Sequence, residues 1–142
     1  MEIRVSTFEY ETATAPDELY SGGIGPCIVM GAIYGKKGYM IHGHSINTNF
    51  GMFIEPIFTD LRKAIHKKNL GIYVIGGETA RDEDPECVEE ILHGRQTLLD
   101  KIKDEGLSPC LKLVRWNQPN YTQTLRLVLS KGKAITENLR RT

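Results

Sequence analysis

Apolar and polar positions along the chain follow two periods, and each change of period marks an element. Over Glu2 to Thr12, Ile3, Val5, Phe8 and Tyr10 alternate imperfectly with polar residues, which predicts a strand. Asp17 to Pro26 reads as a glycine-rich loop. Cys27 to Tyr34 is an apolar run of strand length and Tyr39 to His42 is a second, so the intervening Gly35-Lys36-Lys37-Gly38 predicts a β-hairpin. The period then becomes helical. Ile54, Ile57, Phe58, Leu61, Ala64 and Ile65 recur at i, i+3, i+4, i+7 spacing, predicting an amphipathic helix from about Phe53 to Lys67 with one face on a sheet.

Leu70 to Ile75 predicts a buried strand running into Gly76-Gly77. Asp84-Pro85 offers an N-cap and a proline at the first helical position, and the helical region it opens continues to Glu105 and closes on Gly106. Gly94 lies inside that region, so the main helix either spans it or begins near it and carries Leu98, Leu99 and Ile102 inward. Cys110 to Arg115, Thr122 to Leu129 and Ala134 to Leu139, separated by turn-rich segments, read as consecutive antiparallel strands. The sum is an α+β fold, a mostly antiparallel sheet with two main helices.

At 142 residues, without repeats or linker-like stretches, the chain is expected to form a single domain over 1–142. Eighteen basic residues balance eighteen acidic ones, and the only basic cluster is the short tail Leu139-Arg140-Arg141-Thr142, so the footprint of a nucleic-acid binder is missing. The start, Met1-Glu2-Ile3-Arg4-Val5-Ser6, has no signal-peptide core. Nothing approaches the roughly 20 apolar residues of a membrane span. A cytoplasmic protein without a transmembrane segment is the expectation. Cys27, Cys87 and Cys110 are scattered without C-x-x-C spacing, as free thiols in a reducing compartment would be. No motif implies a cofactor. Gly76-Gly77-Glu78-Thr79 matches no phosphate-binding loop and reads as a tight turn.

The candidate chemistry lies at Ser21-Gly22-Gly23-Ile24-Gly25-Pro26-Cys27. Glycines allow close backbone approach, and a loop-to-strand transition can aim N–H groups at a developing oxyanion. A free cysteine has a pKa of about 8.5, so attack at neutral pH needs a base. The hairpin supplies a histidine in either of two registers. With Gly35-Lys36 at the centre of the turn, His44 opposes Cys27 and His42 lies on the diagonal. With Lys36-Lys37 at the centre, His44 takes the diagonal and His42 moves away. Taken singly, Cys27 reads as core filler and each histidine as structural, and only their convergence makes a site. His42-Gly43-His44 also allows a different reading, a zinc site completed by Cys27 or a carboxylate. Cys87, Cys110, His66 and His93 read as structural or surface residues.

These same segments resemble the chemoreceptor glutamine deamidases called CheD. That family has a threonine, an L-G-L-G-S turn, the nucleophilic cysteine, an apolar strand and then G-G-M-A-H with the catalytic histidine. Ser21 to Cys27 is similar to the first part, with Ser21 in place of the threonine. Gly38-Tyr39-Met40-Ile41-His42 is similar to the second, across a turn two residues shorter. Leu70 to Glu78 resembles the family's K-I-F-G-G-A strand end, and Gly94-Arg95-Gln96 its G-x-R-N helix start. The resemblance implies a layered α/β sandwich, with Cys27 as nucleophile, His42 as base and Ser21 orienting the ring. It further implies a protein substrate, a chemoreceptor, whose glutamines become glutamates, and a chemotaxis phosphatase as partner. It also accommodates a non-catalytic signalling adaptor of the same fold. The chain departs from the family at Pro26, which replaces a serine and has no N–H, so oxyanion donors would come from the Cys27 amide and nearby glycine or side-chain groups. It also lacks the family's M-L-P after the histidine and Asp-x-Gly-Gly after Arg115.

Overall fold

The computed structural model describes residues 1–79 and 84–141; Thr142, the last residue of the basic tail, lies outside them. Among the described residues there are nine strands: β1 (Glu2–Arg4), β2 (Glu9–Thr14), β3 (Glu18–Ile24), β4 (Ile28–Tyr34), β5 (Lys37–Gly43), β6 (Leu70–Gly76), β7 (Leu111–Trp116), β8 (Tyr121–Val128) and β9 (Lys133–Arg140). The helices are α1 (Phe50–Phe53), α2 (Glu55–Leu61) and α3 (Pro85–Asp104). One sheet has the order β1-β3-β8-β9 and the other β2-β5-β4-β6-β7. The two are packed together, with α2 and α3 against the second, so the fold is α+β and layered. Among the described strands, only β1 with β3 and β6 with β7 pair in parallel.

β4 sits at the centre of these layers, which explains its continuous apolar run. Ile28, Met30 and Ala32 join the core containing Phe58, Leu61, Leu98 and Ile102 from the helices. Val29 and Ile33 turn the other way, into a core with Leu19, Leu125 and Leu127 of the first sheet. A strand buried on both faces has no polar face to alternate with.

Several boundaries differ from the expected ones. The opening segment is two strands, because the chain crosses from the first sheet to the second between Arg4 and Glu9. Asp17 to Pro26 is mostly strand β3, whose ladder to β8 carries a register shift between Ser21 and Ile24, with Gly23 at φ +65°. Glycine content there marks a bulge, since only glycine takes that φ without strain. The helix expected to reach Lys67 ends at Leu61, in two short pieces, and Ile65 is exposed. α3 runs unbroken through Gly94, which is buried where an added Cβ would lie 2.5 Å from Ser45 Cβ. The last three strands are not consecutive neighbours. β7 crosses over through α3 to lie parallel to β6, and only β8 and β9 form the expected antiparallel pair.

The hairpin takes the first of the two registers. Tyr34 pairs with Lys37 and Val29 with His42, leaving Gly35-Lys36 as a two-residue loop. Gly35 has φ +61° while Lys36 is not left-handed, the pattern of a type II′ turn. Extending the ladder past Ile28 puts His44 opposite Cys27 and His42 on the diagonal.

Candidate functional site

His42 is the polar centre of the region between the two sheets, only 5% exposed. It stands on β5 of the second sheet and is met from the first sheet by Ser21 on β3, whose alternation with buried Leu19 points it inward. Ser21 Oγ is 2.7 Å from His42 Nδ1 and donates its proton to the Val5 carbonyl, also at 2.7 Å. That carbonyl lies 3.2 Å from Nδ1. The hydroxyl has one proton and the carbonyl none, so satisfying all three groups requires Nδ1 to carry the hydrogen. The assigned tautomer leaves the Nε2 lone pair available as a base.

The chain between β1 and β2 wraps this ring. Val5 caps Nδ1, the Thr7 hydroxyl lies 3.4 Å from Nε2, and the Phe8 N–H donates to the His42 carbonyl at 2.6 Å. A tight turn makes this possible: Glu9 N donates to the Ser6 carbonyl, Ser6 N donates to the Glu9 carboxylate, and Phe8 takes φ +66°. A left-handed phenylalanine costs roughly 1–2 kcal/mol, which the surrounding hydrogen bonds offset.

Cys27 is partly buried and packs at the edge of the same inter-sheet core. Its loop is fixed by backbone bonds to the end of β6, Gly77 N to the Cys27 carbonyl at 2.8 Å and Glu78 N to the Gly25 carbonyl at 3.0 Å. Gly76, at φ +98°, approaches so closely that a Cβ would stand 1.9 Å from the Cys27 carbonyl oxygen, so Gly76-Gly77 is the close-packed turn expected from sequence. Gln123 on β8 accepts from Gly76 N and donates to the Arg115 carbonyl, joining the sheets behind the loop. From α3, Arg95 donates to the Gly77 carbonyl and stacks 4.8 Å from the Trp116 ring. The amides of Gly76, Gly77 and Glu78 are thus already committed and are no oxyanion donors.

Burial pushes the Cys27 thiol up, and a side-chain hydrogen bond with Thr7 opposes that shift. Burial also holds His42 below its ordinary value; the Val5 carbonyl and the facing Glu9 carboxylate oppose this, and His44 adds to it. Both directions favour an uncharged thiol beside a neutral imidazole at rest.

The structure therefore brings Ser21 and His42 into contact, sets Cys27 on the diagonal from His42 by strand register, and adds Val5 and Thr7 around the ring, which sequence reasoning missed. Their only signal was the break in alternation at Ser6-Thr7. His44 turns elsewhere, its Nδ1 accepting from Ile46 N. Among the described residues no group of three or more His, Cys, Asp or Glu converges as a metal site, and no helix is long and apolar enough to cross a membrane. Arg4, Thr7, Tyr20, Ser21 and His42 line a cavity of about 230 Å³. A larger groove of about 1050 Å³, between α3 and the segment after β5, includes Glu86, Glu90 and His93 but none of Cys27, His42 and Ser21. No protein-family model matches the chain, and no curated protein matches it.

Proposed function

We propose that the protein is a cysteine-dependent deamidase that converts glutamine side chains of a partner protein to glutamate. The observation that carries this reading is the imidazole of His42, held with Nδ1 against the Ser21 hydroxyl and the Val5 carbonyl and its basic Nε2 turned toward the Thr7 hydroxyl, on the strand whose register sets Cys27 on the diagonal. In the first half-reaction Cys27 loses its proton to His42 and its sulfur bonds the amide carbon. The imidazolium then protonates the amide nitrogen, the C–N bond breaks and ammonia leaves. In the second, His42 takes a proton from water, the hydroxide adds to the thioester, and the C–S bond breaks to give glutamate and the thiol.

The cavity lined by Thr7, Ser21 and His42, about 230 Å³, is smaller than the roughly 300–1,000 Å³ of small-molecule pockets, and Cys27 is not among its lining residues. The resemblance of Ser21 to Cys27 and Gly38 to His42 to the deamidase motifs supports a chemoreceptor as the partner protein, with a cytoplasmic role in chemotaxis. The test follows ammonia release and the glutamine-to-glutamate mass change on a chemoreceptor cytoplasmic domain. Wild type is expected to convert glutamines, Cys27→Ala to fall to background, and His42→Ala to lose about 100-fold or more. Release undiminished in Cys27→Ala contradicts the scheme.

A further inference from the structure

β9 is the outermost strand of the first sheet, and among the described residues nothing pairs with its free side. Its ladder to β8 runs from Lys133 to Arg140 without a register shift, and it contains no proline. Shortness, a proline, a bulge or a row of charges usually blunts such an edge. The other edges are blunted in these ways: β1 has 3 residues, β2 carries exposed Glu9 and Glu11, and β7 has a register shift against β6. The charges of β9 are arranged differently. Lys133, Ile135, Glu137 and Leu139 alternate along its outward face, all exposed, so that a cation and an anion flank an apolar side chain. On β8, Arg126 stands opposite Ile135 but is committed to Glu2 and Glu18, and neither Lys133 nor Glu137 has an ion-pair partner among the described residues.

We propose that β9 pairs antiparallel with β9 of a second copy of this chain, centred on Ile135, so that the two four-stranded sheets join into one. The pairing is independent of the chemistry at Cys27. Two identical antiparallel strands are related by a two-fold axis through the sheet, and in a regular ladder that axis lies midway between two equivalent residues. Each register is therefore defined by the residue that meets its own copy. Centred on Ile135, Lys133 of each copy stands opposite Glu137 of the other, and the two Ile135 side chains meet between the two ion pairs on one face. Centring on Thr136 sets Ile135 opposite Glu137 and Lys133 opposite Leu139. Centring on Glu137 opposes two carboxylates and sets Lys133 against Arg141. Centring on Leu139 matches Glu137 with Arg141, but Arg141 lies beyond the end of β9 and Ile135 stays uncovered. The Ile135 register alone covers Ile135 and matches both charges within the strand.

The test is sedimentation equilibrium of the full chain over a wide concentration range, in wild type, Lys133→Glu, Glu137→Lys and the variant carrying both, with folding checked by thermal denaturation. Wild type is expected to dimerise reversibly, and more weakly at high salt. Each single reversal opposes like charges twice in the dimer and is expected to raise the dissociation constant about tenfold. The double variant exchanges the signs and restores both ion pairs, so its dissociation constant is expected to return to within about threefold of wild type. A wild-type chain that stays monomeric throughout overturns the proposal. A dimer indifferent to both single reversals overturns it too, since its interface would lie elsewhere. A double variant as weak as the single ones overturns the Ile135 register, because Lys133 and Glu137 would then not face each other.

Discussion

At the scale of single residues, the site depends on a buried hydroxyl and carbonyl fixing one tautomer. Ser21 contributes an oxygen that accepts from Nδ1 because its own proton is committed to the Val5 carbonyl. Nitrogen NMR of the His42 imidazole is expected to show the Nδ1–H form in wild type and a mixture in Ser21→Ala, where only the more distant carbonyl remains. A wild-type ring protonated mainly on Nε2 contradicts the assignment. Ser21→Ala is also expected to cost about 1–3 kcal/mol in stability, because a buried carbonyl loses its donor. The pairing of Ser21 with His42 was legible in the sequence because the resemblance points to both, whereas the hairpin spacing alone left His42 and His44 as alternatives opposite Cys27. Thr7 and Val5 were not legible, because they act through a chain crossing between sheets, and no local periodicity encodes which ring a backbone carbonyl will meet.

At the scale of elements, glycines mark where backbone and side chains approach too closely for a Cβ. α3 shows this against a competing tendency. Replacing a mid-helix glycine by alanine ordinarily stabilises by about 1 kcal/mol. At Gly94 the new Cβ would lie 2.5 Å from Ser45 Cβ, next to the start of β4 that follows Cys27. Overpacking of that kind costs roughly 1–3 kcal/mol, so Gly94→Ala is expected to be less stable than wild type. The check is the urea unfolding midpoint, and an unchanged or higher midpoint contradicts it. Gly94 also shows why the helix was open to two readings. Local propensity argues for a break there, while the packing that requires glycine lies 49 residues away at Ser45. The strand pairing of β7 was hidden similarly: turn-rich flanks suggest an antiparallel neighbour, and only the α3 crossover reveals the parallel one.

At the scale of the whole molecule, the two sheets close over a thiol and an imidazole that burial keeps uncharged. Most of the strands, the apolar character of β4 and β6, and the hairpin itself were available from periodicity and turn chemistry, while the choice between the two hairpin registers was not. The assignment of strands to two sheets was not, because β1 and β3 join β8 and β9 through contacts more than 100 residues apart, such as Glu18 with Val128. That division matters for function, since Ser21 and His42 belong to different sheets and meet only when the layers pack. Burial between layers also sets the pH behaviour. His42, held low, stays a neutral base below its ordinary value of about 6.5, and Cys27, pushed up, stays protonated above about 8.5. Between those limits the population of the proton-transferred pair does not depend on pH.

The most direct test is the rate of Cys27 alkylation by iodoacetamide from about pH 6 to about pH 9, in wild type and His42→Ala, with Cys87 and Cys110 replaced by serine. The expected wild-type rate exceeds that of His42→Ala most at the acid end of this window, where the thiolate–imidazolium pair supplies the thiolate, and rises less steeply there, while His42→Ala rises about tenfold per pH unit, as a lone thiol below its pKa must. A wild-type rate that climbs with that same slope would contradict the pairing of Cys27 with His42.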